Sequence, residues 1–519
     1  MTMFGNMLLR HHFQKRCSCK VKILTISRNI NCASHDNPPG WDGAKPFESI
    51  PGPKPLPLIG NSWRFLTKDF KMNQDKVHMR LHEKYGDICL LRKVRKNSMI
   101  MVYSPQIFEM MFRNEGMWPI RDGFHSVNHY RSVTRKEIFN GMGLINMHGE
   151  EWYNLRSKVN PIFLQPRTAQ LYISSMNSVA DDFIKRMENL MAKNNEMPAN
   201  FENEINKWAL ESIGVIALDR RLGCLDEKPT EEVQNLITTV VELFKLAFII
   251  DLTPVGQFCI KYNLPTWRKF VKYEDFVTQI CFKYINEAYE ALDHNKPEHE
   301  KSSFEKLLKI NKKVAMVMTL DMLAAGIDTT GKSTAVILYF LAKHQEVQKK
   351  LRKDLLEALP NADTPITKDI LSNLPYLKAV IKESLRMAPI GTGNLRKTTK
   401  NVVLDGYQIP AGVNVFMANL YVCKLEKYFP KPNEFIPDRW LRSTEGEMSY
   451  KNVNPFVSLP FGFGPRSCIG RRFANLELEI VIAKIIRNFQ LDWHQDDMIF
   501  GRDLLYGIKA PLKIHVSKI

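Results

Sequence analysis

The segment Phe461-Gly462-Phe463-Gly464-Pro465-Arg466-Ser467-Cys468-Ile469-Gly470 governs the reading of this chain. A cysteine closes a glycine-rich loop and stands directly before a helical pattern, Ile469 to Asn488. There Phe473, Leu476, Ile480, Ala483 and Ile486 recur at helical spacing. The backbone N–H groups of such a loop and the N-terminus of the helix behind it favour a thiolate over a thiol. Gly464 and Gly470 let the backbone approach something flat and bulky, and Arg466 can meet an anionic group. A buried thiolate with no second metal-binding cysteine suits an axial ligand to haem iron. A lone cysteine reads more plainly as a small apolar group in a turn; the ten residues around Cys468 tip the reading the other way.

Outward from that loop the chain reads as mainly helical. The longest pattern, 312–343, would be roughly 45 Å long and is apolar nearly all round at its middle, as a buried central helix should be. It contains Ala325-Gly326-Ile327-Asp328-Thr329-Thr330. Gly326 weakens the helix locally and leaves room above a cofactor plane. Thr329 can donate to the Ala325 carbonyl four residues back. An acid and an alcohol at the centre of an apolar helix are costly to bury without a task. Delivering protons to an oxygen-activating cofactor is such a task; a capping or kink pair is the alternative. A second helix, Pro375–Met387, is punctuated by Pro375 and by Pro389 beyond its end. It places Glu383 and Arg386 on one face and Lys378 and Lys382 on one face. In isolation these read as a surface ion pair and as solvated charge. Trp152 and Arg156 alone read as an amphipathic helix face. Strand signals are short: Ile88–Leu91, Met99–Tyr103, and Val402–Ile409 turning through Asp405-Gly406.

Together these landmarks resemble the cytochrome P-450 superfamily. The loop matches its signature Phe-x-x-Gly-x-Arg-x-Cys-x-Gly at every defined position, and the other motifs follow in order over about 470 residues. The resemblance implies a mainly α fold with a small β portion in one large domain, and haem b held by Cys468 as proximal ligand. Phe461 would pack beside the thiolate. Trp152, Arg156, Arg396 and Arg466 would neutralise the two haem propionates, guanidinium suiting carboxylate through bidentate geometry. Asp328 and Thr329 match the oxygen-activation segment. Glu383, Arg386 and Arg439 match a buried structural triad that supports the cysteine loop. Lys378, Lys382, Arg471 and Arg472 match the basic positions with which mitochondrial members bind an acidic 2Fe-2S ferredoxin. Asn475 departs from the Glu common there. Trp118-Pro119-Ile120-Arg121-Asp122-Gly123 resembles insect mitochondrial members.

Composition and charge agree. Of 519 residues, 44% are apolar and 25% charged, which excludes a fibrous or wholly disordered chain. The net charge of +18 fits an acidic partner, an anionic membrane surface or nucleic acid; the resemblance retains the first two and no nucleic acid. Residues 1–35 hold Arg10, Lys15, Arg16, Lys20, Lys22 and Arg28 and no acid, with Leu8, Leu9, Phe13, Ile23, Leu24 and Ile26. That is the pattern of a mitochondrial transit peptide, or else of a disordered basic tail. Residues 36–57 read as a connector ending in a stiff entry, Ile50-Pro51-Gly52-Pro53-Lys54-Pro55-Leu56-Pro57, and 58–519 as the haem-thiolate domain. No uninterrupted apolar run of about 20 residues marks a spanning helix. Of nine cysteines, Cys17 and Cys19 lie in the presequence pattern and the rest contain no CxxC, which suggests a reducing compartment.

The expected activity is insertion of one atom of O2 into a lipophilic substrate, a steroid or ecdysteroid or a xenobiotic. Electrons would come from NADPH through a flavoprotein reductase and the ferredoxin, on the matrix side of the mitochondrial inner membrane. Residues 239–263, with Val240, Val241, Leu243, Phe244, Leu246, Ala247, Phe248, Ile249, Ile250, Pro254 and Phe258, match the family's apolar roof and peripheral membrane contact, or read equally as a buried helix face. The competing classes are a non-enzymatic haem-thiolate binder, a microsomal-type enzyme using a diflavin reductase, and an isomerase or dehydratase on the same fold. Asp328 and Thr329 speak against the binder, because binding alone needs no proton relay.

Overall fold

The helical periodicities become helices in a computed structural model that describes residues 37–57, 59–68, 73–94, 97–191, 195–253, 255–292 and 296–519. The transit-peptide expectation for 1–35, and Pro254, lie outside the described residues. The helices that build the site are α1 (Gly149–Phe163), α2 (Phe201–Leu218), α3 (Glu231–Leu252), α4 (Pro265–Glu290), α5 (Lys312–Lys343), α6 (Pro375–Met387) and α7 (Arg471–Asn488).

The central helix α5 forms as its apolar run dictates, with the Asn311 side chain accepting from the Lys313 N–H at its start. α2, α4, α6 and α7 all pack on it, α2 most extensively. Glycine permits that approach. A Cβ on Gly326 would stand 2.7 Å from Ile213 Cγ1 of α2, and one on Gly331 would stand 2.0 Å from Asn206 Oδ1. Gly326 therefore makes room for a neighbouring helix as well as lining a cavity, and α5 runs unbroken through it. α6 begins with Pro375 at its first position and ends at Met387, as punctuated. α7 starts two residues later than its pattern, because Ile469 and Gly470 complete a turn.

The β portion is small. Strands β1 (Ile88–Val94), β2 (Asn97–Val102), β3 (Asn394–Lys397) and β6 (Asn414–Met417) form one sheet in the order β1-β2-β6-β3. β2 and β6 run parallel, pairing Met99 with Asn414, and the other pairs are antiparallel. β4 (Val402–Leu404) and β5 (Tyr407–Ile409) make the expected hairpin. Asp405 and Gly406 both take positive φ, 51° and 73°, as a tight two-residue turn of this hand requires. Two further strand pairs join Phe489–Asp492 to His515–Lys518 and Phe500–Arg502 to Tyr506–Ile508.

One hydrophobic core surrounds α5, and a second lies under the four-stranded sheet, where Leu90, Ile100, Phe108 and Val415 are buried. Residues 38–57, read from the sequence as a connector, belong to the same compact unit as the rest of the chain to Ile519. Ile50 is buried, the Pro51 carbonyl accepts from Leu90 N at 2.9 Å, and Lys45 N donates to the hairpin at Gly406 O. By length and composition α3 and α5 could each cross a membrane; here both pack against other helices.

Candidate active site

A cavity of about 530 Å³ separates α5 from the loop that ends in Cys468. The loop takes its shape from its glycines. Gly462 and Gly464 have φ of 71° and 72°, a region closed to most side chains, and a Cβ on Gly464 would meet Glu115 Oε1 at 2.4 Å. Cys468 N donates to Phe461 O at 2.8 Å, which closes the loop. Phe461 and Cys468 both line the cavity. The other free cysteines among the described residues, Cys89, Cys224, Cys259, Cys281 and Cys423, are buried in packing, whereas Cys468 is open. Although Cys468 opens on the cavity, desolvation by the protein around it raises its thiol above the ordinary range. The Gly470 backbone hydrogen bond and the positive charges of Arg156, Arg121 and Arg471 pull it back only in part.

Of the five arginines that line the cavity, four gather their guanidinium groups close together: Arg121, Arg156, Arg396 and Arg466. α1 places Trp152 and Arg156 one turn apart, β3 supplies Arg396, and the loop supplies Arg466. Arg156 donates to Asn160 Oδ1 at 2.6 Å and to Ser467 O at 2.8 Å. Arg466 donates to the carbonyls of Pro119, Leu144 and Met147, with its guanidinium 3.8 Å from the centre of the Trp152 ring. Arg396 pairs with Glu115, the acid bonded to this group, and donates to Phe463 O at 3.0 Å. One carboxylate does not balance four cations. Burial, then the repulsion of Arg121, Arg396 and Arg156, pulls Arg466 down to about 8. Burial likewise lowers Arg121 and Arg156 to about 10. Trp152 Nε1 and Arg121 Nε are buried without an acceptor among the described residues. Unmet positive charge and orphaned donors call for an anion. The two propionates of haem b fit that need, and an open sulfur across from a glycine on α5 fits its iron and its plane. Arg121 was missed as a donor from sequence, since a lone arginine in a loop has no periodic signal.

On the α5 wall the cavity meets Ala325, Gly326 and Thr329, and Thr329 Oγ1 donates to Ala325 O at 2.7 Å, the expected bond. Asp328 is elsewhere. It is 2% exposed, is bonded to Lys332 one turn on, and does not line the cavity. The helical step of about 100° between neighbours turns it toward Glu202, whose carboxyl burial raises. A second acid does reach the cavity. Glu477 of α7 accepts from Thr330 Oγ1 at 3.2 Å, its other oxygen has no partner among the described residues, and burial pushes it up to about 8. Its signal was an acid in helical register with Phe473 and Ile480. Val240, Leu243, Phe244 and Ala247 of α3 line the far end, so the apolar stretch is partly cavity wall. Ile249, Val255, Phe258, Tyr262 and Leu264 are exposed instead.

Glu383, Arg386 and Arg439 come together, each fully buried. Glu383 accepts from Arg386 Nε and Nη2 at 2.9 Å, from Arg439 Nε at 3.1 Å, and also from Trp440 Nε1 at 2.8 Å and Ile436 N at 3.0 Å. Trp440 is thus a fourth member that spacing did not reveal. The group lies off the cavity. Of the basic positions, Lys382 and Arg471 are exposed, Lys378 is half-buried, and Arg472 is tied to the Leu164 carbonyl. Arg471, Arg472 and Asn475 line a recess on the outer side of the loop. Lys378 and Lys382 face Glu479, so one acid sits within that surface.

Residues 50–509 match the family model described as Cytochrome P450. The chain is 38% identical over 508 residues to "Probable cytochrome P450 12a5, mitochondrial" of Drosophila melanogaster, covering 95% of this chain and 94% of that protein. It is 38% identical over 500 residues to "Cytochrome P450 CYP12A2" of Musca domestica, covering 92% of each. It is 36% identical over 467 residues to "Cytochrome P450 12b1, mitochondrial" of Drosophila acanthoptera, covering 87% and 86%.

Proposed function

This chain belongs to the cytochrome P450 family of haem-binding monooxygenases, and from that membership we propose that it oxidises a lipophilic small molecule with electrons delivered by a 2Fe-2S ferredoxin. The observation that carries the reading is the open Cys468 sulfur beside four under-neutralised arginines, with Thr329 on the opposite wall. The family binds haem through a cysteine thiolate, and when bound the haem supplies electron uptake and dioxygen activation. Cys468 is assigned as the ligand and Phe461 as its packing neighbour. Trp152, Arg156, Arg396, Arg466 and Arg121 hold the propionates by charge-assisted hydrogen bonds.

The chain's own chemistry is then positioning and proton handling. Thr329 holds a hydroxyl at the cavity wall, oriented by the Ala325 carbonyl, where it can pass a proton inward. Asp328 acts from the outer side of α5 through Lys332, so the case for catalysis over simple haem binding rests on Thr329. Glu383, Arg386 and Arg439 brace the segment that leads into the cysteine loop. The apolar walls from α3 and α4 exclude water and suit an apolar substrate, steroid-like or xenobiotic. Relatives named as mitochondrial support a mitochondrial location. We assign the ferredoxin contact to Lys378, Lys382, Arg471 and Arg472, the enzyme working at the matrix side of the inner membrane. The exposed apolar residues from Ile249 to Leu264 suit peripheral membrane contact. Cys468→Ser tests the core assignment: the thiolate-type band of the reduced carbon monoxide complex should vanish, and its persistence would displace Cys468 as ligand.

A further inference from the structure

The cavity is not apolar throughout. Arg131, Glu274 and Asp321 also line it, and they come from three separate elements. Arg131 lies on a single π-helical turn, Tyr130–Thr134; Glu274 is on α4 and Asp321 on α5. All are at least nine-tenths buried, with 4%, 9% and 6% of their surface exposed. Arg131 Nη2 donates to Asp321 Oδ1 at 2.6 Å. Arg131 Nη1 donates to Met142 O at 3.4 Å, and the guanidinium meets Asp321 through one nitrogen alone among the described residues. Among the described residues Arg131 Nε has no acceptor and Asp321 Oδ2 has no donor, although both are buried. Glu274 makes no side-chain hydrogen bond among the described residues, and burial pushes it up to about 7 against the opposing pull of Arg131. Room for the guanidinium is built in: a Cβ on Gly143 would stand 2.2 Å from Arg131 Nη1, and Gly143 takes φ 148°.

Buried polar groups left half-satisfied at a cavity wall mark a ligand's place. The chemistry narrows the ligand. An ammonium cannot accept from Arg131 Nε and would bring a second cation beside it. A carboxylate cannot donate to Asp321 Oδ2 and would be repelled by it. A ketone accepts but does not donate. A hydroxyl does both and adds no charge. Asp321 precedes Thr329 by eight residues, about 12 Å along α5, so the hydroxyl would lie far from the reacting end of the molecule.

We propose that Arg131 and Asp321, with Glu274 beside them, anchor a hydroxyl group of the substrate and so select lipophilic alcohols. The inference rests on the monooxygenase reading and specifies its substrate class. The competing account is that the pair closes to a bidentate ion pair that only stabilises the fold. The test uses the haem-loaded enzyme and three rigid probes: 4-cyclohexylcyclohexanol, bicyclohexyl and 4-cyclohexylcyclohexyl-dimethylammonium, each titrated by equilibrium dialysis. The wild type should bind the alcohol at least about tenfold more tightly than the hydrocarbon. Asp321→Asn, which replaces the free acceptor by an amide, and Arg131→Lys, which keeps the charge but removes Nε, should each abolish that preference while hydrocarbon binding stays. Haem content and the thiolate-type carbon monoxide band, read on the same samples, report separately on the monooxygenase reading. Equal wild-type affinities for alcohol and hydrocarbon would overturn the proposal without any variant. So would tighter binding of the ammonium probe, or a preference unchanged in both variants.

Discussion

Replacing Glu383 by Gln tests the brace behind the cysteine loop. Two donors, Arg386 Nε and Trp440 Nε1, meet Oε2, and three, Arg386 Nη2, Arg439 Nε and Ile436 N, meet Oε1. The amide will turn its oxygen to the three and its NH2 to the two. Two hydrogen bonds to a charged group are then lost, at about 1.5–3 kcal/mol each. Arg386 and Arg439, both fully buried, lose their counter-charge, and breaking a buried pair costs about 3–5 kcal/mol by an independent route. The two figures agree on a loss of about 3–5 kcal/mol, a large share of the 5–15 kcal/mol that typically holds a domain together. The assay is urea unfolding followed by tryptophan fluorescence at low temperature. The midpoint should fall with the slope unchanged. Asp438→Asn is the control: it lies next to Arg439 in sequence, but its side chain is 44% exposed and pairs with exposed Lys350. It should shift stability by less than about 0.5 kcal/mol. An E383Q midpoint matching that of D438N would refute the reasoning.

Thr329→Ala should retain haem and substrate binding yet lower product formed per NADPH consumed by roughly an order of magnitude, the remainder appearing as peroxide; an unchanged ratio removes Thr329 from the proton path. Lys378→Glu with Lys382→Glu should raise the half-saturating ferredoxin concentration on the order of tenfold at low salt, and less at high salt, with substrate affinity preserved; an unmoved value makes these lysines ordinary solvated charge. Glu477 carries a pH signature. Its folded value of about 8 lies above the ordinary 4.5, so the folded state holds a proton that the unfolded state releases. Its contribution is fully present below about 4.5 and is lost as pH rises through about 8. Glu477→Gln should therefore flatten the fall in stability between those limits, and parallel wild-type and variant profiles would contradict the assignment.

The elements and the cysteine loop were legible in the chain because their signals are local. Pro375 and Pro389 bound α6, Asp405-Gly406 makes the β4–β5 turn, and the 32-residue stretch from 312 to 343, apolar nearly all round at its middle, reads as a buried helix. The signature around Cys468 is local in the same sense, since positive-φ glycines must sit where the loop bends. Tertiary structure alone decided what charge does inside. Asp328 and Thr329 are neighbours in sequence, yet one helical step sends the threonine to the cavity and the aspartate to Lys332. At Cys468, desolvation by everything packed around it raises the thiol, and the Gly470 hydrogen bond and the charges of Arg156, Arg121 and Arg471 oppose that rise. Arg121 joins Arg156, Arg396 and Arg466, and Arg131 meets Asp321 across 190 residues, by packing that no spacing encodes. Local geometry is set by a few adjacent residues, whereas the electrostatics of a buried group is set by the whole of what surrounds it.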